Sequence, residues 1–173
     1  AGPGGYTAAF RAADLGKKVI LIERYPVLGG VCLNVGCIPS KALLHMAKVV
    51  TDAEETIHAG VNFNTPKLEL DKLRKWKESI IEKLTNGLTT LAKKRNVEVV
   101  QGNGKFIAPN MISVNTPNGQ KTVSFEYCVI AAGSSVAHPP GIIQNDPRII
   151  DSTGALELED IPKRMLIIGG GII

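Results

Sequence analysis

Apolar positions along the chain fall into short runs and longer helical stripes. Ala8, Ala9, Ala12 and Ala13 give Tyr6–Leu15 a small-residue face suited to packing closely on a sheet, and Gly16 supplies the stop. Val19-Ile20-Leu21-Ile22 follows, an uninterrupted run of the kind that buried parallel strands carry. After a loop of glycines and cysteines, Pro39 predicts the opening of a second helix that runs to about Val50. Leu68, Leu70, Leu73, Trp76, Ile80, Ile81, Leu84, Leu88 and Leu91 recur at helical spacing and predict a long amphipathic helix over 67–95. Short strand-like runs come next at Val97–Val100, Met111–Asn115, Thr122–Phe125 and Tyr127–Ala131, with turn residues such as Pro117-Asn118-Gly119 between them. Residues 134–163, with Pro139, Pro140, Pro147 and Pro162, read as an irregular connection. A new strand, Met165–Ile168, then meets Gly169-Gly170-Gly171.

Composition narrows this picture. The 173 residues are 44% hydrophobic and 21% charged, enough for a buried core and unlike a disordered chain. No apolar run approaches the roughly 18 residues that span a bilayer. Ala1–Gly5 has neither the basic start nor the apolar stretch of a secretory signal, so a soluble, cytoplasmic protein is expected. The net charge of +4 is concentrated in 67–95, which holds nine Lys or Arg against four Asp or Glu. There the charges alternate with the apolar stripe and read as a solvated helix face. With aromatics at 5%, a base-stacking platform is excluded and no nucleic-acid partner is expected.

The first element carries most of a dinucleotide fingerprint. Gly2 and Gly5 occupy the last two glycines of G-x-G-x-x-G; the first glycine and its strand would lie before residue 1. Gly2 lets the backbone approach a pyrophosphate, Gly5 lets the helix pack on the sheet, and the helix start offers unpaired N–H groups. Glu23, eighteen residues after Gly5, stands where an acid accepts ribose hydroxyls; the plainer alternative is a solvated strand end paired with Arg24.

Gly29-Gly30-Val31-Cys32-Leu33-Asn34-Val35-Gly36-Cys37-Ile38-Pro39-Ser40-Lys41 is the most informative stretch. A structural disulfide here would close about six residues and contribute on the order of 2 kcal/mol. A metal site could recruit His45 but lacks a second close pair of ligands, so no metal is assigned. A redox dithiol fits best, since the N-terminal end of the helix that Pro39 opens favours a thiolate at Cys37. Cys128, isolated in an apolar run, reads as a small buried hydrophobe. Lys41 is either a surface lysine or a cation placed beside a flavin.

With GPGGYTAAFRAADLG, LIERYPVLGGVCLNVGCIPSKALLH, GNGKF, VIAAGS and MLIIGGGII, the chain resembles the dihydrolipoamide dehydrogenase branch of the pyridine nucleotide–disulfide oxidoreductases over essentially its whole length. Leu33, Ile38, Ser40 and Ala42-Leu43-Leu44 look like that branch rather than the glutathione reductases. The resemblance implies an α/β fold: a Rossmann-like three-layer FAD-binding domain with a β-meander over 1–135, a connection over 136–162, and the first strand of an NAD-binding domain over 163–173. It implies oxidation of dihydrolipoamide through a Cys32–Cys37 disulfide, with Cys32 exchanging with substrate and Cys37 lying against the flavin. FAD would be held by Gly2, Gly5, Glu23 with Arg24, Gly29, Gly30, Val31, Cys32, Lys41, Gly104, and the turn Ala132, Gly133 and Ser134; Gly169 and Gly171 would open the NAD site. A homodimer serving a 2-oxo acid dehydrogenase complex, through its lipoyl-bearing acyltransferase, is also implied. The family's general base comes from a His–Glu pair of the other subunit, and His45, His58 and His138 lie outside that motif. The segment is therefore expected to be a fragment, inactive alone. A mercuric or NADPH-dependent dithiol reductase, or a folded module without turnover, is the alternative.

Overall fold

A computed structural model describes residues 1–141 and 146–173. Residues 142–145, inside the expected connection, lie outside the described residues. In chain order the elements are α1 (Pro3–Asp14), β1 (Ile20–Glu23), α2 (Gly30–Val35), α3 (Cys37–Glu55), α4 (Leu70–Lys94), β2 (Glu98–Gln101), β3 (Asn103–Ala108), β4 (Met111–Thr116), β5 (Gly119–Ser124) and α5 (Ser152–Glu157). They divide into two compact units, Ala1–Asn34 with Glu82–Ser134, and Val35–Ile81 with Ser135–Ile173. No helix among the described residues is long and apolar enough to cross a membrane.

The first unit has three layers. In the middle, β1 and β2 pair in parallel, Ile20 opposite Glu98 through Glu23 opposite Gln101. Successive side chains of a strand point to opposite faces, and β1 uses both. Leu21 packs with Ala9, Phe10, Leu28, Ala92 and Val97, joining α1 and the end of α4 to one face. Ile20 and Ile22 pack from the other face on Val100, Ile112, Val114 and Val123. Those last three belong to a β-meander, β3-β4-β5, whose neighbours are all antiparallel. Helices on one side and a meander on the other explain why 19–22 is apolar without alternation.

Local chemistry sets the ends of the elements. Pro3 sits at the first turn of α1, where a missing N–H costs nothing, so this helix begins before the expected Tyr6. It closes with Lys17 N–H on the Ala12 carbonyl at 3.0 Å and Gly16 N–H on that of Ala13 at 2.9 Å, the paired bonds of a Schellman end. In the second unit α3 begins at Cys37 rather than at Pro39, and Pro39 is tolerated because it still lies in the first turn. Asp151 caps α5 by accepting from the Gly154 N–H at 2.9 Å.

Several expectations are corrected. The glycine–cysteine loop contains a short helix, α2. β3 was not foreseen, and α5 lies in the stretch read as irregular. Tyr127–Ala131 and Met165–Ile168 form no strand. Strands exist through a neighbour's hydrogen bonds, and no described strand pairs with either run. Their side chains are accordingly exposed: Tyr127, Val129 and Ile130, and Met165 through Ile168. Cys128, expected to be buried, is exposed with them.

Candidate nucleotide and dithiol site

The C-terminal end of β1, the start of α1 and the loop before α2 meet in the first unit. Gly2 is the extended N-cap residue of α1, with its carbonyl accepting from the Tyr6 N–H at 3.0 Å. Gly30 holds φ +59, in the left-handed region, and a Cβ there would fall 2.5 Å from the Gly2 Cα and 3.1 Å from its nitrogen. Two backbones thus touch with no side chain between them, an arrangement that only glycine permits at Gly30. The Gly29 N–H donates to the Ala1 carbonyl at 2.9 Å, tying the loop to the helix start. A Cβ on Gly5 would lie 3.8 Å from Leu21 Cδ1 and 3.7 Å from Ala131 Cβ, so Gly5 lies close to the β1 side chains.

Glu23 closes β1 and is buried. Its Oε2 accepts from the Ala1 nitrogen at 2.5 Å, and its Oε1 from the Tyr25 N–H at 3.0 Å. Burial pushes the carboxyl up; hydrogen bonds from the Ala1 nitrogen and from the backbone N–H groups of Tyr25 and Arg24 outweigh it and hold the pKa below its usual 4.5. The alternative of a solvated glutamate paired with the Arg24 side chain is overturned. Arg24 is exposed, and its guanidinium carbon lies 4.7 Å from the centre of the Tyr25 ring. Gly104 sits in β3 opposite Val114, and a Cβ there would be 3.7 Å from Ile22, next to Glu23 in the chain. Ala132, Gly133 and Ser134 are exposed, with Gly133 at φ +77.

Asn34 was missed by sequence reasoning. Its side-chain amide donates to the carbonyls of Leu28 at 3.0 Å and Gly30 at 2.9 Å, bracketing the glycine turn. The available signal was an amide side chain four residues after a left-handed glycine, a spacing that returns to its carbonyl once a helical turn forms.

Val31 and Cys32 lie in α2, Val31 exposed and Cys32 half-buried. Cys37, the exposed first residue of α3, and Lys41, exposed one turn on, belong to the second unit. The N–H groups of a helix's first turn have no partner within the helix, and Cys37 stands among them. Gly169 and Gly171 are exposed in a stretch without helix or strand. Among the described residues no three His, Cys, Asp or Glu converge as metal ligands.

The arrangement can hold a nucleotide: bare backbone at Gly2 and Gly30 for a pyrophosphate, and a buried carboxylate at a strand end for hydroxyls. The chain is 56% identical over 173 residues to a dihydrolipoyl dehydrogenase of Vibrio cholerae, covering 100% of this chain and 36% of that protein. It is 54% identical over 172 residues to that of Vibrio parahaemolyticus, covering 99% and 36%. It therefore spans about a third of the length of these curated relatives. Among solved structures, the Cu(II) complex of the HOCl-induced flavoprotein disulfide reductase RclA from Escherichia coli matches with a TM-score of 0.75 and 30% identity, over 93% of this chain and 33% of that one. The family model for pyridine nucleotide-disulphide oxidoreductases matches residues 1–173, and the chain belongs to that family.

Proposed function

We propose that the protein carrying this chain is a dihydrolipoyl dehydrogenase, oxidising protein-bound dihydrolipoamide with FAD and NAD+. The observation that carries this reading is the Gly2–Gly30 backbone contact beside the buried Glu23 carboxylate, in a chain 56% identical to an enzyme of that name. Gly2, Gly29 and Gly30 would lie along the pyrophosphate, Glu23 would accept ribose hydroxyls, and Gly5 would keep α1 on the sheet. Gly104, Ala132, Gly133, Ser134, Arg24, Val31 and Lys41 are assigned to the same cofactor from the resemblance, and Gly169 and Gly171 to NAD+. When bound, the flavin supplies a two-electron route from the cysteine pair to the nicotinamide.

The chain's own contribution is thiol–disulfide exchange. A substrate thiolate attacks the sulfur of Cys32; the Cys32–Cys37 bond breaks and Cys37 leaves as a thiolate. The second substrate thiol, as its thiolate, then displaces Cys32, which closes the substrate disulfide and leaves both cysteines reduced. Two protons leave the substrate dithiol, and two electrons reach the protein. An exposed Cys37 at a helix start suits the leaving role, because unpaired N–H groups there stabilise negative charge. A homodimer, a cytoplasmic location and service to a 2-oxo acid dehydrogenase complex complete the proposal.

The test uses the full-length protein with FAD bound. Cys32→Ser and Cys37→Ser should each abolish NAD+-dependent oxidation of dihydrolipoamide while retaining flavin. A long-wavelength charge-transfer band should persist in Cys32→Ser and vanish in Cys37→Ser; two variants that look alike would refute the roles. The likeness to RclA favours a second reading, a flavin disulfide reductase acting on another dithiol or disulfide. Wild-type protein that binds flavin but leaves dihydrolipoamide unoxidised would select it.

A further inference from the structure

In the second unit, two cations of α4 meet the far end of α5. Lys77 is buried, 3% exposed, and its Nζ donates to the Leu156 carbonyl at 2.6 Å. Arg74, one turn earlier, donates through Nη1 to the carbonyls of Leu158 at 2.7 Å and Glu159 at 3.0 Å. Its Nη2 is held by Asp71, and Lys77 also pairs with the exposed Glu78 at 3.0 Å.

These carbonyls lie at and just beyond the end of a six-residue helix. The last four C=O groups of any helix lack an internal partner and are usually satisfied by the chain's own turn or by water. Here two side chains some eighty residues earlier in the sequence supply donors to this end. Leu158 itself holds φ +54, a left-handed conformation that glycine adopts without strain and leucine does not. A lysine amine is seldom buried unless its charge is compensated; this one pairs with Glu78 and also donates to a backbone carbonyl of an otherwise marginal helix. Such a helix, six residues long, does not persist without tertiary support.

We infer that Arg74 and Lys77 form a latch that holds the strap Asp151–Glu159 on α4 and imposes the left-handed turn at Leu158. The latch fixes where the chain leaves α4 on its way to the exposed residues from Asp160 onward. Released, the strap loses α5 and its turn, and the direction of everything that follows is no longer set by α4. The latch is a conformational device and uses none of the residues assigned to flavin or dithiol chemistry.

Amide hydrogen exchange and limited trypsin digestion of the full-length protein test this. Lys77→Met and Arg74→Met keep helix-forming stems but remove the donors. Each should speed exchange at the amides of Gly154 to Glu157 by at least about tenfold, the factor corresponding to the loss of one charge-assisted hydrogen bond. Each should also accelerate cleavage after Lys163 or Arg164, while amides of β4 exchange as before. Lys75→Met, on the same helix but exposed and outside the latch, should change neither. Leu158→Pro forbids the left-handed turn without changing any residue of α4, so it should open the same amides and keeps the test valid if a cation variant fails to fold. A folded Lys77→Met, Arg74→Met double variant whose strap exchanges at the wild-type rate would overturn the latch. So would a Leu158→Pro protein with an undisturbed strap.

Discussion

Gly30→Ala separates backbone strain from steric contact where the glycine turn meets Gly2. At φ +59 an alanine pays for the left-handed conformation, about 1–2 kcal/mol. Its Cβ must also be accommodated against the Gly2 Cα at 2.5 Å, where carbon atoms prefer about 3.5–4.0 Å. Neither partner yields freely. Gly2 is fixed as the N-cap of α1, and Gly29 is tied to Ala1 by its hydrogen bond. Overpacking of this kind costs typically about 1–3 kcal/mol, so the total is about 2–5 kcal/mol. Gly133→Ala is the control, because Gly133 holds φ +77 but has nothing within 4 Å of a new Cβ. It should cost about 1–2 kcal/mol, from the backbone alone. Urea unfolding followed by circular dichroism gives both values, and flavin dissociation measured on the same proteins shows whether the loop still accepts the cofactor. Gly30→Ala should be the more destabilised by at least about 1 kcal/mol, with weaker flavin binding. Equal costs, within about 0.5 kcal/mol, would show that Gly2 and Gly30 do not touch and would remove the central geometric argument for the site.

Two other predictions probe the unit around it. Val114 is fully buried between the meander and the sheet; Val114→Ala removes two methyl groups at about 0.8 kcal/mol each and leaves a cavity, so unfolding free energy should fall by about 2–3 kcal/mol. A fall below about 1 kcal/mol would mean that β4 is not the core of this layer. Glu23 has a folded pKa below its unfolded value of 4.5, so its contribution to stability is present above pH 4.5 and is lost as pH falls through the lowered folded value. Glu23→Gln should therefore flatten the loss of stability below pH 4.5, and an acid-unfolding profile identical to wild type would contradict the buried, hydrogen-bonded carboxylate.

Periodicity found the elements that decide their own conformation and erred where a partner decides it. The stripe from Leu70 to Leu91 and the run Val19–Ile22 were legible because burial on one or both faces repeats at the period of the element. β3 was not: Asn103-Gly104-Lys105-Phe106-Ile107 has no alternation, and five of its six residues are exposed. It is a strand because β4 offers a ladder from Asn103 to Ala108. Tyr127–Ala131 and Met165–Ile168 err in the other direction. They are among the most β-like runs in the chain, yet strand propensity is largely a measure of packing against neighbours, and among the described residues they have no strand neighbours.

The site divides along the same line. The positions of Gly2, Gly5 and Glu23 were legible because α1 leads directly into β1: a helix start, a helix packed on a strand, and the end of that strand. The cysteine pair reads from the sequence as a redox dithiol, and the structure sets Cys32 half-buried in α2 and Cys37 exposed at the start of α3. What joins these two readings is Asn34, which no motif singled out. From one turn of α2 its amide grips the carbonyls of Leu28 and Gly30 on either side of Gly29. Cys32 lies on that same short helix, two residues before Asn34. The glycine turn that meets Gly2 and the helix that carries Cys32 are therefore one hydrogen-bonded piece, so the position of Cys32 is referred to the Gly2–Gly30 backbone contact rather than to the length of the intervening loop. Hydrophobic patterning is blind to this because the bonds run from a polar side chain to backbone. They exist only once Gly30 has adopted a conformation that its sequence permits but does not announce.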